Sequence, residues 1–273
     1  MTPAFRNPGL ARFVGARALG LAGWVGQVVG LGGATVRWTT RGLTNPKARF
    51  DFSALTHQMV RVGVNSVGIV VLVQVFIGVI LALQMTPPLA EFGQESTVAN
   101  IIGVAGFRML GPMLTAVVLS GFAGASIAAE LGTMVVSEEI EAMEATALNP
   151  IRFLVVPRVL ATFSMMILLT VIADWMIALG GWITSRMVLG PESYVRYWEK
   201  MKDQLQYRDF FTGLIQAGIF GILISLIACR EGLKVTGGAE GVGRATTMTV
   251  VYSIVAIISA ACVCTIIFYT FEL

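Results

Sequence analysis

The stretch of residues 121–160 reads GFAGASIAAELGTMVVSEEIEAMEATALNPIRFLVVPRVL, and the rest of the chain is organised around it. An acid-rich insert separates two apolar runs. Ser137 suits the N-cap of a helix that begins at the next residue, and the carboxylates that follow favour the helix dipole. Asn149-Pro150 ends the pattern, because proline bars its predecessor from helical geometry. The insert therefore predicts a short helix over residues 138–148.

This predicted helix has an apolar face and an acidic face. Apolar side chains recur at helical spacing, and carboxylates recur every three residues on the other side. The apolar members are Ile140, Met143, Ala147 and Leu148, and the acidic members are Glu138, Glu141 and Glu144. We expect such a surface outside the bilayer to bind another protein. A solvated turn between two spans is the alternative interpretation.

Composition and charge spacing indicate a membrane protein. Hydrophobic residues make up 56% of the chain and charged residues only 13%. Charge is absent from residues 62–90, 109–129, 210–229 and 245–271, and Asp174 alone interrupts residues 159–185. Each run supplies about 20 apolar residues, or roughly 30 Å of helix, which is enough to cross the hydrocarbon layer. We therefore predict an all-α polytopic membrane protein with five transmembrane helices.

The first 62 residues form a basic, glycine-rich arm. They hold eight Lys or Arg residues and a single acid, Asp51, and this excess beside the first span predicts a cytoplasmic N-terminus. Residues 19–36 are apolar, but six glycines weaken them as a span, so an interfacial helix is favoured over a sixth span. The predicted division is an N-terminal segment, residues 1–62, and a five-span domain, residues 63–273, with its C-terminus outside.

Several functions are excluded by what the sequence lacks. A net charge of +3 without a basic, aromatic-rich patch argues against nucleic-acid binding. His57 is the only histidine, which excludes a histidine-rich metal site. No G-x-x-x-x-G-K-[ST] string occurs, so we expect no enzyme and no cofactor in this chain. Uphill transport would use a separate ATPase with ATP and Mg²⁺, or an ion gradient as in a secondary transporter.

Two charged residues lie well inside apolar runs, where a charge is costly to bury. Arg108 is expected either to bind an anionic lipid headgroup or to be a structural arginine paired with a carbonyl or an acid. For Asp174, a satisfied carboxyl near the outer interface is favoured over a proton site. Residues 186–209 mix charged and aromatic residues, and they predict an outer-face helix that begins near Pro191.

Five strings of this sequence resemble the MlaE-type permease family of lipid-transporting ABC transporters. They are L-G-P at 110–112, A-A-E-L-G at 128–132, E-x-I-E-A-M-E at 138–144, N-P-I-R-F-L-V-V-P-R at 149–158 and G-G-A-E-G-V-G-R-A-T-T at 237–247. The third and fourth strings are similar to the coupling loop through which ABC permeases contact their ATPase. The resemblance extends from roughly Val60 to the C-terminus.

The resemblance implies a permease subunit of the bacterial inner membrane that moves phospholipid and has no ATPase site of its own. It also implies a homodimer, a cytoplasmic ABC ATPase, an outer-side MCE-domain lipid carrier and a role in outer-membrane lipid asymmetry. Five spans make a small pathway, which also favours a homodimer.

The resemblance also assigns roles to residues. The helix over 138–148 would bind the ATPase, and Arg108 would contact lipid. The associated coupling loops would include Glu130, Pro150, Arg158, Glu240 and Arg244. The chain departs from the family's R-E-L-G-P string at Met109 and has Phe122 where an arginine is usual, so two charges near Arg108 are missing.

Overall fold

The chain is helical in the parts that the computed structural model describes, which are residues 8–44, 52–94, 97–188 and 195–271. These residues contain no strand, as the all-α prediction requires. The α-helices are α1 (Pro8–Thr44), α2 (Phe52–Val62), α3 (Val67–Glu91), α4 (Val98–Ala105), α5 (Gly111–Leu119), α6 (Ala125–Val136), α7 (Glu139–Ala145), α8 (Val156–Val188), α9 (Tyr197–Gln204), α10 (Tyr207–Leu233) and α11 (Gly238–Thr270). Three π-helical segments are π1 (Gly106–Leu110), π2 (Ser120–Gly124) and π3 (Ile151–Val155).

Six helical stretches are long and apolar enough to cross a membrane. They are Gly15–Gly42, Phe52–Glu91, Val98–Val136, Ile151–Val188, Tyr207–Leu233 and Gly238–Thr270. The last five contain the five predicted spans, so the prediction of a multi-pass membrane protein is confirmed. Gly15–Gly42 meets the same criteria of length and composition. The predicted count of five spans plus an interfacial helix is therefore not confirmed.

The chain divides into two compact units, residues 1–49 and residues 50–273. The described part of the first unit is the 37-residue helix α1. The second unit contains all the other helices, including α2, which packs against α8. The division at residue 62 that the sequence suggests stays a prediction about domains.

Glycines bring α3 and α8 into close contact. A methyl group at Gly78 would overlap the carbonyl of Ile177. Gly63, just before α3, lies against Met165 in a similar way. Gly63 contacts Met165 and Gly78 contacts Ile177, so the residue numbers increase in the same direction along both helices. The helices α3 and α8 therefore run parallel. Small residues allow this backbone approach, which supplies van der Waals contact where lipid removes the hydrophobic driving force.

The stretch from α4 to α6 is one long helical path that contains two π turns. In a π turn the backbone bonds reach one residue further back than in an α-helix, which locally widens the helix. The path runs parallel to α10, because Gly213 lies against Phe107 and Gly124 lies against Ile224 further along both helices. The π turns therefore occur where this path packs against its neighbours.

A short helix, α9, packs against α4. Its Tyr197 is 1% exposed, and burial raises the pKa of the Tyr197 hydroxyl. The ring of Trp198 lies 6.1 Å from the ring of Trp175 in α8, measured between centroids. A helix of eight residues thus lies in the stretch where the sequence predicts one, and its place on the outer face stays a prediction. Its predicted start near Pro191 lies outside the described residues.

Candidate functional site

The acid-rich insert forms a shorter helix than the sequence predicts. The helix α7 spans Glu139–Ala145, and the residue before it, Glu138, is in the left-handed conformation with φ 59°. Ser137 does not cap α7, because its hydroxyl lies 3.0 Å from the carbonyl of Thr133, one turn back in α6. The prediction of a helix over 138–148 with a Ser137 cap is therefore wrong at its start.

The end of α7 also differs from the prediction. The N–H of Leu148 donates to the Met143 carbonyl at 3.0 Å, and the N–H of Ala147 donates to the Glu144 carbonyl at 2.9 Å. This pair of bonds is a Schellman motif, which requires a left-handed residue, and Ala147 supplies it with φ 60°. The helix therefore stops three residues before Asn149-Pro150, and the predicted reason for its end is wrong.

Asn149 and Pro150 begin the next helical segment instead. The Asn149 side-chain oxygen accepts hydrogen bonds from the backbone N–H groups of Ile151 at 3.0 Å and Arg152 at 3.3 Å. Asparagine is a favoured N-cap, and proline fits the first helical position because its missing N–H has no intrahelical partner there. Pro150 therefore sets the start of π3 and α8 rather than the end of α7.

The insert presents an exposed acidic and apolar surface. Ile140 and Met143 are half-buried where α7 packs on α6. The remaining predicted members are exposed, and they are Ala147, Leu148, Glu138, Glu141 and Glu144. Leu148 is 43% exposed. The structure thus divides the predicted apolar face into two half-buried residues and two exposed ones.

A cluster of three charged side chains joins α2, α6 and α8 beside this insert. The Glu130 carboxylate lies 2.6 Å from Arg61 and 2.8 Å from Arg158. Arg158 also donates to the Leu154 carbonyl at 2.7 Å, and its side chain is only 5% exposed. Two predicted site residues, Glu130 and Arg158, are therefore brought together. Sequence reasoning missed Arg61, which lies 69 residues from Glu130.

The glycine-rich block at 237–247 is mostly helical, although the sequence predicts a coupling loop there. Gly237 and Gly238 have φ 89° and 67°, and α11 begins at the second of them. Glu240 and Arg244 therefore lie in the first turns of α11. Within the described ranges, no ion pair joins either residue to the cluster around Glu130.

Arg108 has an acidic partner. It lies in π1, and its guanidinium is 3.3 Å from the Asp209 carboxylate. The other Asp209 oxygen accepts the backbone N–H of Gln206 at 3.1 Å, as part of a capping box that starts α10. The acid that the sequence lacks next to Arg108 is thus supplied from 101 residues away. The string Q-x-x-D at residues 206–209 predicts the start of a helix, but it does not predict the ion pair with Arg108.

Arg108 lies where two cavities adjoin. One cavity, of about 490 Å³, has apolar walls that include Ile101, Val104 and Met109. The other, of about 430 Å³, has polar walls that include Arg208 and Asp209. Arg108 and Phe268 line both cavities. The arrangement can therefore accept a molecule with an apolar part and an anionic part.

Comparison with known proteins identifies the family of this chain. Residues 55–267 match the family described as "Permease MlaE". A probable ABC transporter permease protein of Rickettsia felis is 37% identical over 206 residues, which are 76% of this chain and 79% of that protein. The intermembrane phospholipid transport system permease protein MlaE of Haemophilus influenzae is 31% identical over 243 residues, covering 87% and 86% of the two chains.

A plant protein is also similar. The chloroplastic protein TRIGALACTOSYLDIACYLGLYCEROL 1 of Arabidopsis thaliana is 31% identical over 214 residues, which are 78% of this chain and 61% of that protein. The family match covers most of this chain, including the acid-rich insert, the Glu130 cluster and Arg108. The chain belongs to the MlaE permease family of ABC transporters.

Proposed function

We propose that this chain is the membrane subunit of an ABC transporter that moves phospholipid between the inner membrane and an outer-side MCE-domain carrier. The observation that carries the proposal is the position of Arg108, where an apolar cavity meets a polar one. A phospholipid has the same two parts, because its acyl chains are apolar and its phosphodiester is anionic. A guanidinium binds phosphate through two parallel hydrogen bonds.

The relatives support this cargo and a division of labour between subunits. The Haemophilus influenzae relative is named as the permease of an intermembrane phospholipid transport system. An ABC permease works with an ATPase, and we propose that the ATPase binds ATP and Mg²⁺ and docks on the exposed surface of α7. That surface carries Leu148 beside Glu138, Glu141 and Glu144. A homodimer would provide a pathway larger than five or six helices allow.

The proposed orientation places the insert in the cytoplasm and Arg108 toward the outer side. Arg108 and the end of α6 are separated by roughly 40 Å of helical path, at a rise of about 1.5 Å per residue. The Lys and Arg excess in residues 1–62 favours a cytoplasmic N-terminus. Cargo binding and ATPase docking would therefore occur at opposite ends of one helical path.

Replacing Arg108 tests the cargo site. We expect Arg108→Ala to reduce both lipid transport and the phospholipid that co-purifies with the complex, while the ATPase still binds. Arg108→Lys should restore part of the binding, because an ammonium cannot make the planar fork. Arg186→Ala is the matched control, since Arg186 is an exposed arginine that stacks on Trp182. Wild-type phospholipid content in Arg108→Ala would reject the headgroup role.

A further inference from the structure

Asp174 is buried without a hydrogen-bond partner. It lies well inside α8 and is 1% exposed. Among residues 8–44, 52–94, 97–188 and 195–271, neither of its carboxyl oxygens has a hydrogen-bond partner. The sequence favoured a satisfied carboxyl near the outer interface, but no described residue supplies the hydrogen bond that would satisfy it. An isolated carboxylate in this position would be strongly unfavourable, because a buried charge needs hydrogen-bond donors or an opposite charge to compensate it.

Gln74 lies level with Asp174 on the facing helix. Gly78 of α3 contacts Ile177 of α8 in a parallel pair, so the residues about one turn before each of them are opposite one another. Gln74 is fully buried, and its amide nitrogen is 2.9 Å from the Thr115 hydroxyl and 3.3 Å from a backbone carbonyl of α5. Its donors are therefore directed at α5, and within the described part of the chain its side-chain oxygen has no partner.

The backbone of π1 completes this buried group. A methyl group at Gly111 would overlap Oδ1 of Asp174 and would lie 3.0 Å from the carbonyl oxygen of Gly106. The Gly106 carbonyl accepts the Gly111 N–H and keeps a second lone pair. The two groups identified beside Asp174, the Gly106 carbonyl and the Gln74 side-chain oxygen, are both hydrogen-bond acceptors. A donor is what this arrangement lacks.

We propose that Asp174, Gln74 and the backbone of π1 form a buried proton-binding site, in which Asp174 is a neutral carboxylic acid. The O–H of that acid donates to an acceptor beside Gly111, either the Gly106 carbonyl or the Gln74 side-chain oxygen. This single proton removes the charge and supplies the missing donor. The neutral acid thereby closes the interface between α3, α5 and α8.

A proton suits this site better than a metal cation. A bound Ca²⁺ or Mg²⁺ takes about six or more oxygen ligands. In the part of the chain that the structure describes, no group of three or more His, Cys, Asp or Glu side chains could hold a metal ion. The site does not depend on the proposed phospholipid cargo, because Asp174, Gln74, Gly106 and Gly111 do not line either cavity beside Arg108.

Infrared spectroscopy tests the proposal on the full-length chain in phosphatidylcholine nanodiscs at neutral pH. Aspartate-selective ¹³C labelling reports only four residues, which are Asp51, Asp174, Asp203 and Asp209. We expect an isotope-shifted C=O stretch of a protonated carboxyl in the wild-type chain. The band should disappear in Asp174→Asn and persist in the matched variant Asp203→Asn. Absence of the band in the wild-type chain, or its survival in Asp174→Asn, overturns the proposal.

A second variant tests the proposal if the Asp174→Asn protein does not fold. Replacing Asp51, Asp203 and Asp209 together by asparagine leaves Asp174 as the only aspartate. A protonated-carboxyl band in this chain supports the site, and a spectrum with only carboxylate bands overturns it. Thermal melting adds a readout, since Asp174→Asn retains a donor and should melt close to the wild type. Asp174→Ala has no donor and should melt earlier.

Discussion

The guanidinium of Arg158 lies 2.8 Å from the carboxylate of Glu130, and only 5% of the Arg158 side chain is exposed. The same carboxylate lies 2.6 Å from Arg61, whose side chain is 38% exposed. One acid therefore joins a buried arginine on α8 and an exposed arginine on α2. The two ion pairs should differ in their contribution to stability, because water screens the exposed one.

Replacing members of this cluster should show that difference. Glu130→Ala leaves Arg158 buried without its counter-ion, and we expect a loss of about 3 kcal/mol in the free energy of unfolding, since Glu130 itself is partly exposed. Arg61→Ala removes only the exposed pair and should cost about 1 kcal/mol or less. Unfolding by SDS in mixed micelles measures both variants. Because Glu130→Ala removes both pairs, equal losses would show that the buried pair with Arg158 adds no measurable stability.

The left-handed residue that ends α7 gives a second prediction. Ala147 has φ 60°, a conformation that costs an L-residue about 1–2 kcal/mol and that glycine adopts freely. We expect Ala147→Gly to slow hydrogen exchange of the amides that close the Schellman motif, equivalent to about 0.5–1 kcal/mol after the entropy cost of glycine. Ala142→Gly, inside α7, is the matched control and should speed exchange by a similar amount.

The exposed leucine of the insert gives a third prediction, which tests the proposed ATPase contact. Leu148 is 43% exposed, so Leu148→Asp should leave the fold intact while placing an unpaired charge in an apolar contact. We expect co-purification of the ATPase to fall at least tenfold. Tyr207→Asp is the control, because Tyr207 is 88% exposed and begins α10 rather than the insert. Wild-type recovery of the ATPase with Leu148→Asp would place its docking surface elsewhere.

Two glycines on α3 give a fourth prediction. A Cβ at Gly78 would overlap the backbone of Ile177, whereas a Cβ at Gly68 meets no atom within 4 Å. Gly78→Ala should therefore force α3 and α8 apart and destabilise the protein by about 1–3 kcal/mol. Gly68→Ala should stabilise α3 by about 0.5–1 kcal/mol, because alanine is the better helix former. Thermal melting in detergent compares the two, and a change of the same sign in both would contradict the proposed packing.

The long apolar helices could be predicted from the sequence because hydrophobicity acts locally along each one. Each charge-free run is almost wholly helical, since a lipid-facing backbone must satisfy its own hydrogen bonds. The same criterion cannot separate a span from an interfacial helix for residues 19–36. Six glycines lower the hydrophobicity of residues 19–36, yet the helical stretch Gly15–Gly42 that contains them is still long and apolar enough to cross a membrane.

The contacts at the site could not be predicted, because they depend on tertiary packing. Glu130 and Asp209 pair with arginines 69 and 101 residues away, and no periodicity encodes such distances. The end of α7 was missed because Ala147 occupies a position where glycine is the usual signal. The π turn at Arg108 likewise lies where the chain packs against α8 and α10, which are distant in sequence.

The carboxylate of Asp209 neutralises part of the charge of Arg108 at the cavity junction, which leads to the last prediction. Asp209→Asn removes that negative charge and keeps one oxygen that can accept the Gln206 N–H. Arg108 should then attract an anionic phosphate more strongly, by up to about 1 kcal/mol for a partly exposed pair, or roughly fivefold in binding ratio. We expect phosphatidylglycerol to rise relative to phosphatidylethanolamine in the co-purified lipid.

Two control variants accompany this measurement. Asp203→Asn replaces an exposed acid on α9 and should leave the ratio of the two lipids unchanged. Adding Arg108→Ala to Asp209→Asn should abolish the rise in phosphatidylglycerol. An unchanged ratio in Asp209→Asn would mean that Arg108 does not meet the headgroup.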